Sequence, residues 1–245
     1  MSEQNTTQLI EMKNEDFKDV MYEIEGDFVI VTDPPYNIGY KYNEYKDKLS
    51  DKEYIEMIAE FKGHKLAIIH YPEETMKYFV PALGVPDEVN MWCYNSNLPN
   101  KHSRLINYYN MKPDYTKVRQ PFKDPKDPRN IARMKKGQNG ARSYDWFTDI
   151  QLVKNKNLSK KKYPHPCPMP VELMERIIKL TTEEGDLIFD PFAGSGSTAI
   201  ACMNTNRRFI GAEIDTLYFD MANERIAEHG LKLEKEKLEK QIELF

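Results

Sequence analysis

Two short turns in this sequence carry the side chains that could do chemistry, and the first lies near residue 33. It follows the apolar run 28–31 and reads Thr32-Asp33-Pro34-Pro35-Tyr36-Asn37. Paired prolines fix φ twice and remove two N–H donors, so the turn offers mainly acceptors, the Asp33 carboxylate and the carbonyls of Asp33 and Pro34. Acceptors held beside the ring of Tyr36 suit a flat molecule that carries an –NH₂ group. The alternative is a rigid β-turn whose tyrosine lies in the core.

The second turn is rich in glycine. It lies between the apolar runs 187–189 and 200–203 and reads Gly194-Ser195-Gly196-Ser197-Thr198-Ala199. Glycine lets the backbone turn sharply and approach a ligand, and a helix that begins here offers unpaired N–H groups. Glu213 follows Gly194 by 19 positions, at the end of the next predicted strand, where an acid can bind ribose hydroxyls. The pattern predicts a nucleoside-cofactor site, and the alternative is a tight strand-to-helix turn without a ligand.

The residue at the end of the strand before the glycine turn bears on the identity of the cofactor. This residue is Asp190, whose carboxylate would repel a pyrophosphate but attract a cation or an ammonium group. S-adenosylmethionine carries a sulfonium and an α-amino group, so Asp190 favours this cofactor over NAD. Because ligands of open parallel sheets bind beyond the carboxyl ends of the strands, we expect Asp33 and Asp190 to share one crevice.

Alternating strand and helix patterns predict an α/β fold with a Rossmann-like, doubly wound, mostly parallel sheet. Short apolar runs, typical of strands buried on both faces, occur at 28–31, 66–69, 89–94, 187–189 and 208–213. Helical spacing occurs at 51–62, 73–80, 171–182 and 222–240, and 150–153 is a further candidate strand. We predict a single domain over residues 1–245 with a small basic insert at about 100–163.

The composition argues against several classes of protein. A hydrophobic content of 40% is too high for a disordered chain, and no apolar run approaches the roughly 20 residues of a membrane span. The amino-terminal residues are polar and acidic, unlike a signal peptide. Three widely spaced cysteines argue against a disulfide framework and predict a reducing, cytoplasmic location. No Cys/His cluster has zinc spacing, so no metal is expected.

The net charge of −4 conceals a strong asymmetry. Residues 101–163 hold 17 Lys/Arg against 5 Asp/Glu, a net charge of +12, whereas the other residues carry −16. Such segregation is typical of a chain that presents a basic face to a polyanion. We therefore predict a lobe that binds double-stranded DNA, the alternative being a long solvated loop region. The candidates for phosphate contact are Lys135, Lys136, Lys160, Lys161 and Lys162.

Taken together, these motifs resemble a known family. TDPPYN followed much later by DPFAGSGST is similar to the amino-group DNA methyltransferases, whose catalytic motif is (D/N/S)-P-P-(Y/F/W) and whose S-adenosylmethionine motif is D-P-F-x-G-S-G-T. The order of the two motifs resembles the permuted β group, which carries its target-recognition region between them. His165-Pro166-Cys167-Pro168-Met169-Pro170 through Leu173 is similar to H-P-x-x-K-P-x-x-L, with Met169 where lysine is usual and Pro168 where glutamine is common. The stretch from Arg208 through Glu213 and Tyr218 to Arg225-Ile226 resembles R-x-x-G-x-E-x-x-x-x-Y…R-I, and Asn14-Glu15-Asp16 is similar to (N/G)-x-D.

The resemblance implies an S-adenosylmethionine methyltransferase fold and a role for each matched residue. The catalytic residues would be Asp33, Pro34, Pro35 and Tyr36. The implied cofactor contacts are Asp16, His165, Pro166, Asp190, Phe192, Gly194, Gly196, Thr198 and Glu213. Such a reaction requires neither a metal nor a covalent nucleophile.

Asp, rather than Ser, before Pro34-Pro35-Tyr36 resembles the adenine-N6 enzymes. The predicted activity is therefore methyl transfer from S-adenosylmethionine to N6 of an adenine flipped out of DNA, as in restriction–modification systems. The alternatives are a cytosine-N4 methyltransferase, an NAD-dependent oxidoreductase and a catalytically idle DNA-binding module. The insert is short for a full recognition domain, so we expect either low sequence specificity or help from a second copy of the chain in a homodimer. The recognition sequence does not follow from the residues.

Overall fold

A β-sheet forms the centre of the protein. The computed structural model describes residues 8–37, 39, 47–153 and 168–242. The strands within these residues are β1 (Ile10–Lys13), β2 (Val29–Thr32), β3 (Lys65–His70), β4 (Glu88–Cys93), β5 (Ser103–Tyr109), β6 (Arg119–Gln120), β7 (Ala141–Arg142), β8 (Trp146–Phe147), β9 (Leu187–Asp190) and β10 (Arg208–Ala212). Strands β6 and β7 pair with each other, and the remaining strands form one sheet.

The strand order of the large sheet is β1-β10-β9-β2-β3-β5-β4-β8. Neighbouring strands run parallel, except that β5 is antiparallel to both β3 and β4. The sheet therefore winds outwards in two directions from the β9–β2 pair, and the prediction of a Rossmann-like, doubly wound, mostly parallel sheet is confirmed. The carboxyl ends of the parallel strands lie at one edge of the sheet, together with the amino end of β5.

Helices cover both faces of this sheet. They are α1 (Phe17–Glu23), α2 (Asp51–Ala59), α3 (Pro72–Glu74), α4 (Val80–Leu83), α5 (Pro128–Lys135), α6 (Val171–Thr181), α7 (Ser197–Asn204) and α8 (Thr216–Ile242), and a π-helical turn, Thr75–Phe79, joins α3 to α4. Val29 and Val31 enter an apolar cluster with α6 and α7, whereas Ile30 enters a second cluster with α1 and α2. Burial on both faces explains the continuous apolar runs of the strands.

Local sequence sets the start of two helices. The Ser50 side chain accepts a hydrogen bond from the Glu53 N–H, and the Glu53 carboxylate accepts one from the Ser50 N–H. This capping box confirms the predicted start of α2, which ends at Ala59, sooner than predicted. Helix α8 begins before the predicted residue 222, because the Asp215 carboxylate accepts hydrogen bonds from the N–H groups of Leu217 and Tyr218.

Two predicted features of the middle segment differ from the structure. The segment 100–163 contributes two strands to the central sheet, β5 between β3 and β4 and β8 beside β4, so residues 110–145, which connect β5 to β8, lie outside this sheet. The strand predicted at 150–153 is wrong, and the strand in this region is instead β8. Ile150 is buried in a non-strand conformation, and its carbonyl accepts a hydrogen bond of 2.8 Å from the Trp92 indole N–H.

No helix in the described ranges is both long and apolar enough to cross a membrane. Residues 8–37, 39, 47–153 and 168–242 also contain no group of three or more His, Cys, Asp or Glu side chains arranged to hold a metal ion.

Candidate active site

A cleft of about 670 Å³ opens at the carboxyl edge of the sheet, and both predicted turns line it. The first turn, 33–36, follows β2, and the glycine turn follows the adjacent strand β9. Parallel pairing brings these two strand ends to one place, although the residues lie more than 150 positions apart in the chain. Asp33 and Asp190 therefore lie in one crevice.

Asp190 links the two turns through buried hydrogen bonds. Its Oδ1 accepts from the Thr32 hydroxyl at 2.7 Å and from the Phe192 N–H at 3.1 Å, and its Oδ2 accepts from the Thr198 hydroxyl at 2.5 Å. Burial raises the pKa of Asp190 to about 6, although these hydrogen bonds oppose the rise. The carboxylate thus joins the residue before Asp33 to the first turn of α7.

Glu213 holds the glycine turn from the neighbouring strand end. Its Oε2 accepts from the Gly194 N–H at 2.9 Å, and its Oε1 accepts from the Asp215 N–H at 2.9 Å. Burial raises the pKa of Glu213 to about 7. The side chain still lines the cleft, so its carboxylate can accept further hydrogen bonds from a ligand.

Gly196 has a different role from Gly194. Its φ of +73° is a left-handed conformation, and a Cβ at this position would lie 3.3 Å from the Cβ of Ala222 on α8. The left-handed backbone and the close packing against α8 therefore both require glycine at this position. Gly196, which was predicted as a cofactor contact, does not line the cleft. Arg225 braces the same turn, because its Nη1 donates to the Ser195 carbonyl at 2.7 Å and to the Ser197 hydroxyl at 3.1 Å.

Hydrogen bonds and an aromatic contact brace the Asp-Pro-Pro-Tyr turn. The Tyr36 hydroxyl donates to Asp33 Oδ1 at 2.5 Å, and the Tyr54 hydroxyl donates to the Pro35 carbonyl at 2.6 Å. The Tyr36 ring stacks on the His70 ring with centroids 4.4 Å apart. Asp33 keeps part of its surface open to the cleft, but protein surrounds its other sides. Burial accordingly raises the pKa of Asp33 to about 6, against the opposing effects of Arg104 and Tyr36.

The remaining predicted site residues fall into three groups. Phe192 and Asp16 line the cleft, and Asp16 is the exposed N-cap of α1, accepting from the Lys18 N–H at 2.9 Å. Lys135 and Lys136 are exposed at the end of α5 and do not line the cleft. The residues outside the described ranges are His165, Pro166, Lys160, Lys161 and Lys162.

Several residues in and around the cleft were not predicted from the sequence. The most notable are His70 and Tyr71, at the end of β3, and Arg104, at the start of β5. The strand-end position of His70 and Tyr71 is a signal that could have identified them, because the Asp-Pro-Pro-Tyr turn occupies the equivalent position after β2. Arg104 gave no such signal, since it is one of 17 basic residues in the segment 101–163.

The electrostatic character of the cleft differs sharply from that of the segment 101–163. Among the described residues, nine acidic side chains line the cleft, against two basic ones, Lys18 and Arg104. A pyrophosphate would meet repulsion from these carboxylates, whereas a cation would be attracted. The cleft therefore suits a positively charged ligand.

Comparison with known proteins gives a family and a fold. A family model described as DNA methylase, of the N6/N4 type, matches residues 28–224. The type II methyltransferase M.HpaI of Haemophilus parainfluenzae is 28% identical over 223 residues, which cover 81% of this chain and 67% of that protein. The match to the type II methyltransferase M.BglII of Bacillus subtilis covers 62% of that protein, so the chain spans about two thirds of the length of these two relatives.

Two solved structures share the fold. The M1.HpyAVI–SAM complex is 21% identical, with a TM-score of 0.57, and the match covers 89% of this chain and 100% of that one. The cytosine-N4-specific PvuII DNA methyltransferase is 18% identical, with a TM-score of 0.61 and coverage of 89% and 90%.

The link through Asp190 leads to a prediction about stability. We expect Thr32→Val to lower the free energy of unfolding by about 1–3 kcal/mol at pH 8, because it leaves a buried carboxylate oxygen with one donor fewer. The loss should be smaller at pH 5, where Asp190, with its pKa raised to about 6, is protonated in the folded state and needs fewer donors. Urea unfolding at both pH values measures this difference.

A matched control is Thr181→Val, which removes a hydroxyl that donates to the Ile177 carbonyl within α6. It should cost less and show no such pH dependence. Equal losses for the two variants at both pH values would contradict the proposed link.

Proposed function

The chain belongs to the N6/N4 DNA methylase family, and we propose that it transfers a methyl group from S-adenosylmethionine to the exocyclic N6 of adenine in double-stranded DNA. The observation that carries this proposal is the convergence of the two turns. A rigid acceptor turn suited to an amino group and a glycine turn suited to a nucleoside cofactor line the same acidic cleft.

The residues of the cleft fit S-adenosylmethionine. The cofactor supplies a methyl group on a positively charged sulfur, and the excess of carboxylates in the cleft favours such a charge. Glu213 and Phe192 both line the cleft, where Glu213 would accept hydrogen bonds from ribose hydroxyls and the Phe192 ring would offer an apolar surface. Asp16, on the rim, is the candidate contact for the adenine of the cofactor. NAD, the cofactor of the alternative oxidoreductase, would bring a pyrophosphate against the same carboxylates.

Asp33 and Pro34 would activate the target nitrogen. The lone pair of N6 is conjugated with the adenine ring, which makes it a poor nucleophile. When the Asp33 carboxylate and the Pro34 carbonyl accept its two N–H bonds, the nitrogen shifts towards sp³ geometry and its lone pair points away from the ring. Transfer is then an in-line displacement that depends on positioning and charge stabilisation. Methylation leaves one proton in excess on the nitrogen, and Asp33, with a pKa raised to about 6, can accept it.

Recognition of DNA is assigned to the segment after β5. Helix α5 carries exposed Arg133 and Lys135, and exposed Lys136 is its C-cap; these residues supply charge for phosphate contacts. Tyr144 and Trp146 are exposed nearby in the sequence and stack with their planes 14° apart, which offers flat apolar surface to nucleic acid. A homodimer, which would enlarge this surface, stays a prediction.

The activity and the base are tested together by tritiated methyl transfer to DNA followed by nucleoside analysis. We expect label in N6-methyladenine. Label in N4-methylcytosine would establish the alternative substrate, which the same acceptor pair can serve. Absence of transfer in the presence of DNA binding would instead support an idle DNA-binding module.

Two isosteric variants separate the chemical step from cofactor binding. Asp33→Asn should lower single-turnover transfer by about 100-fold or more, because it replaces an acceptor by a donor, while the cofactor Kd stays within about threefold. Glu213→Gln should do the reverse, weakening cofactor binding about tenfold with a smaller effect on the rate at saturation. Calorimetry measures the cofactor Kd, and rapid quench measures the rate. Near-normal turnover of the Asp33 variant would refute the catalytic assignment.

The raised pKa of Asp33 predicts a pH dependence of transfer. Only the ionised carboxylate accepts the N–H bond without competition from its own proton, so the single-turnover rate should fall as the pH drops through about 6. Saturating cofactor is needed, because the pKa of Glu213 is raised to about 7 and its titration affects binding. A rate that is flat between pH 5 and pH 8 would contradict the role of Asp33.

The basic surface predicts a salt dependence of DNA binding. Changing Lys135 and Lys136 to Ala should weaken DNA binding and reduce the slope of log K against log salt by about 2, one for each phosphate that a lysine no longer neutralises. The control changes Lys232 and Lys235 to Ala, since these exposed lysines of α8 pair with glutamates one turn away. Equal slopes for both double variants would exclude α5 from the interface.

A further inference from the structure

A buried arginine stands beside the catalytic turn. Arg104, near the start of β5, is only 2% exposed, yet it lines the cleft together with Asp33 and Tyr36. Its Nη1 lies 3.1 Å from the Met169 sulfur. Burying a cation is costly, so a buried arginine at the edge of a reaction site calls for a specific purpose.

Four aromatic rings surround this guanidinium. Its central carbon lies 5.0 Å from the ring centroid of Tyr36, 5.3 Å from Tyr71, 5.4 Å from Trp92 and 5.6 Å from Tyr94. Each distance is within the range of cation–π attraction. The rings therefore hold the charge in place and compensate part of the cost of its burial.

One of these rings connects the arginine to the catalytic carboxylate. The Tyr36 ring lies under Arg104, and its hydroxyl donates to Asp33 Oδ1 at 2.5 Å. A cation over a phenol ring withdraws electron density, which makes the hydroxyl a stronger donor. The Tyr36 hydroxyl uses one lone pair of Oδ1, and no described residue donates to Oδ2, so Oδ2 is the more open acceptor for a target amino group.

We propose that Arg104 is a positioning residue for methyl transfer: its charge favours the ionised Asp33 carboxylate, and its contact with the Tyr36 ring holds the hydroxyl that directs Oδ2 of Asp33 at the amino group of the target base. This inference rests on the proposed function. Tyr36 accordingly has a role beyond stacking, because its hydroxyl orients the carboxylate.

The groups around Asp33 make Arg104 the main source of positive charge there. Burial raises the pKa of Asp33, Asp190 on β9 adds to the rise, and Arg104 and the Tyr36 hydroxyl oppose it. His70, on β3, stacks on Tyr36 but adds no charge, because burial together with Arg104 and Lys101 lowers its pKa to about 3. Burial and Asp190 both raise the pKa of Asp33, and removing the charge of Arg104 removes the main effect that lowers it. The pKa of Asp33 should therefore rise further.

The test is the pH profile of single-turnover methyl transfer at saturating cofactor. Arg104→Met should move the midpoint upward by about one pH unit, so that the rate falls several-fold near pH 6.5 and largely recovers at pH 8. Arg104→Lys keeps the charge and should leave the midpoint within about 0.3 unit of the wild type. Tyr36→Phe, which keeps the ring but removes the hydroxyl, should also raise the midpoint. The double variant of Arg104→Met and Tyr36→Phe should shift the midpoint by less than the sum, because the part of the Arg104 effect that passes through the Tyr36 hydroxyl is lost in both single variants.

A matched control is Arg176→Met. Arg176 lies 5.0 Å from the ring centroid of Phe147 and pairs with Asp149, so it has a similar aromatic contact but does not line the cleft. This variant should leave the midpoint unchanged.

The outcomes separate this proposal from the proposed function. Absence of transfer by the wild type overturns both. If the wild type transfers methyl groups but neither Arg104→Met nor Tyr36→Phe moves the midpoint of the pH profile, the role of Arg104 is overturned and the proposed function stands. The role of Arg104 is also overturned if these variants lower the rate by the same factor at every pH. If Arg104→Met does not fold, Tyr36→Phe and Arg104→Lys decide: a raised midpoint in the first and an unchanged one in the second support the proposal, and any other pair refutes it.

Discussion

The hydrogen bonds of Asp190 lie at the point where the sheet divides. Strands β2 and β9 pair through only two residues each, Val29 with Ile188 and Ile30 with Phe189. Beyond them the strands lead into different turns, and a crevice opens between their ends, as expected where the winding of an α/β sheet reverses. The Thr32 hydroxyl and the Asp190 carboxylate bridge this opening, and Thr198 extends the bridge to α7. These bonds set the distance between the acceptor turn and the glycine turn. Transfer of a group between a ligand at one turn and a ligand at the other depends on this distance.

Most of the framework around this bridge could be predicted from the sequence, because its signals are local. Apolar runs buried on both faces mark β2, β3 and β9, and the residues after them mark the site. Strand β1 is only four residues long, and its Glu11 interrupts the apolar pattern, so nothing in its sequence distinguishes it from a loop. Strand β5 was not predicted from the sequence, for a different reason. It carries Arg104 and Asn107, both buried, and a strand with polar residues inside a lysine-rich segment gives no buried-strand pattern.

The charge of the sequence was the poorest guide to the structure. A count of Lys and Arg treats every cation as exposed, which holds for Lys135 and Lys136 but fails for Arg104. The net charge of −4 combines an acidic cleft, a basic exposed surface around α5 and one buried cation among aromatic rings. Only the surroundings of each residue distinguish these three uses of charge. Tyr71, Trp92 and Tyr94 are likewise ordinary core candidates in the sequence, and their contacts with Arg104 depend on where β3 and β4 end and where β5 begins.

The raised pKa values of Asp33, Asp190 and Glu213 follow from one arrangement and have one consequence for the proposed reaction. All three carboxylates are buried around a cleft that would receive a cation. Ionisation of these groups and binding of a positive ligand must favour each other, because linkage is reciprocal. In the proposed reaction, methyl transfer would move the positive charge from the cofactor to the base nitrogen that Asp33 is proposed to hold. A pKa that burial has already raised would then let Asp33 take the excess proton. The burial that makes the ionised site costly to hold without a ligand would thus prepare it to accept the proton that the reaction releases.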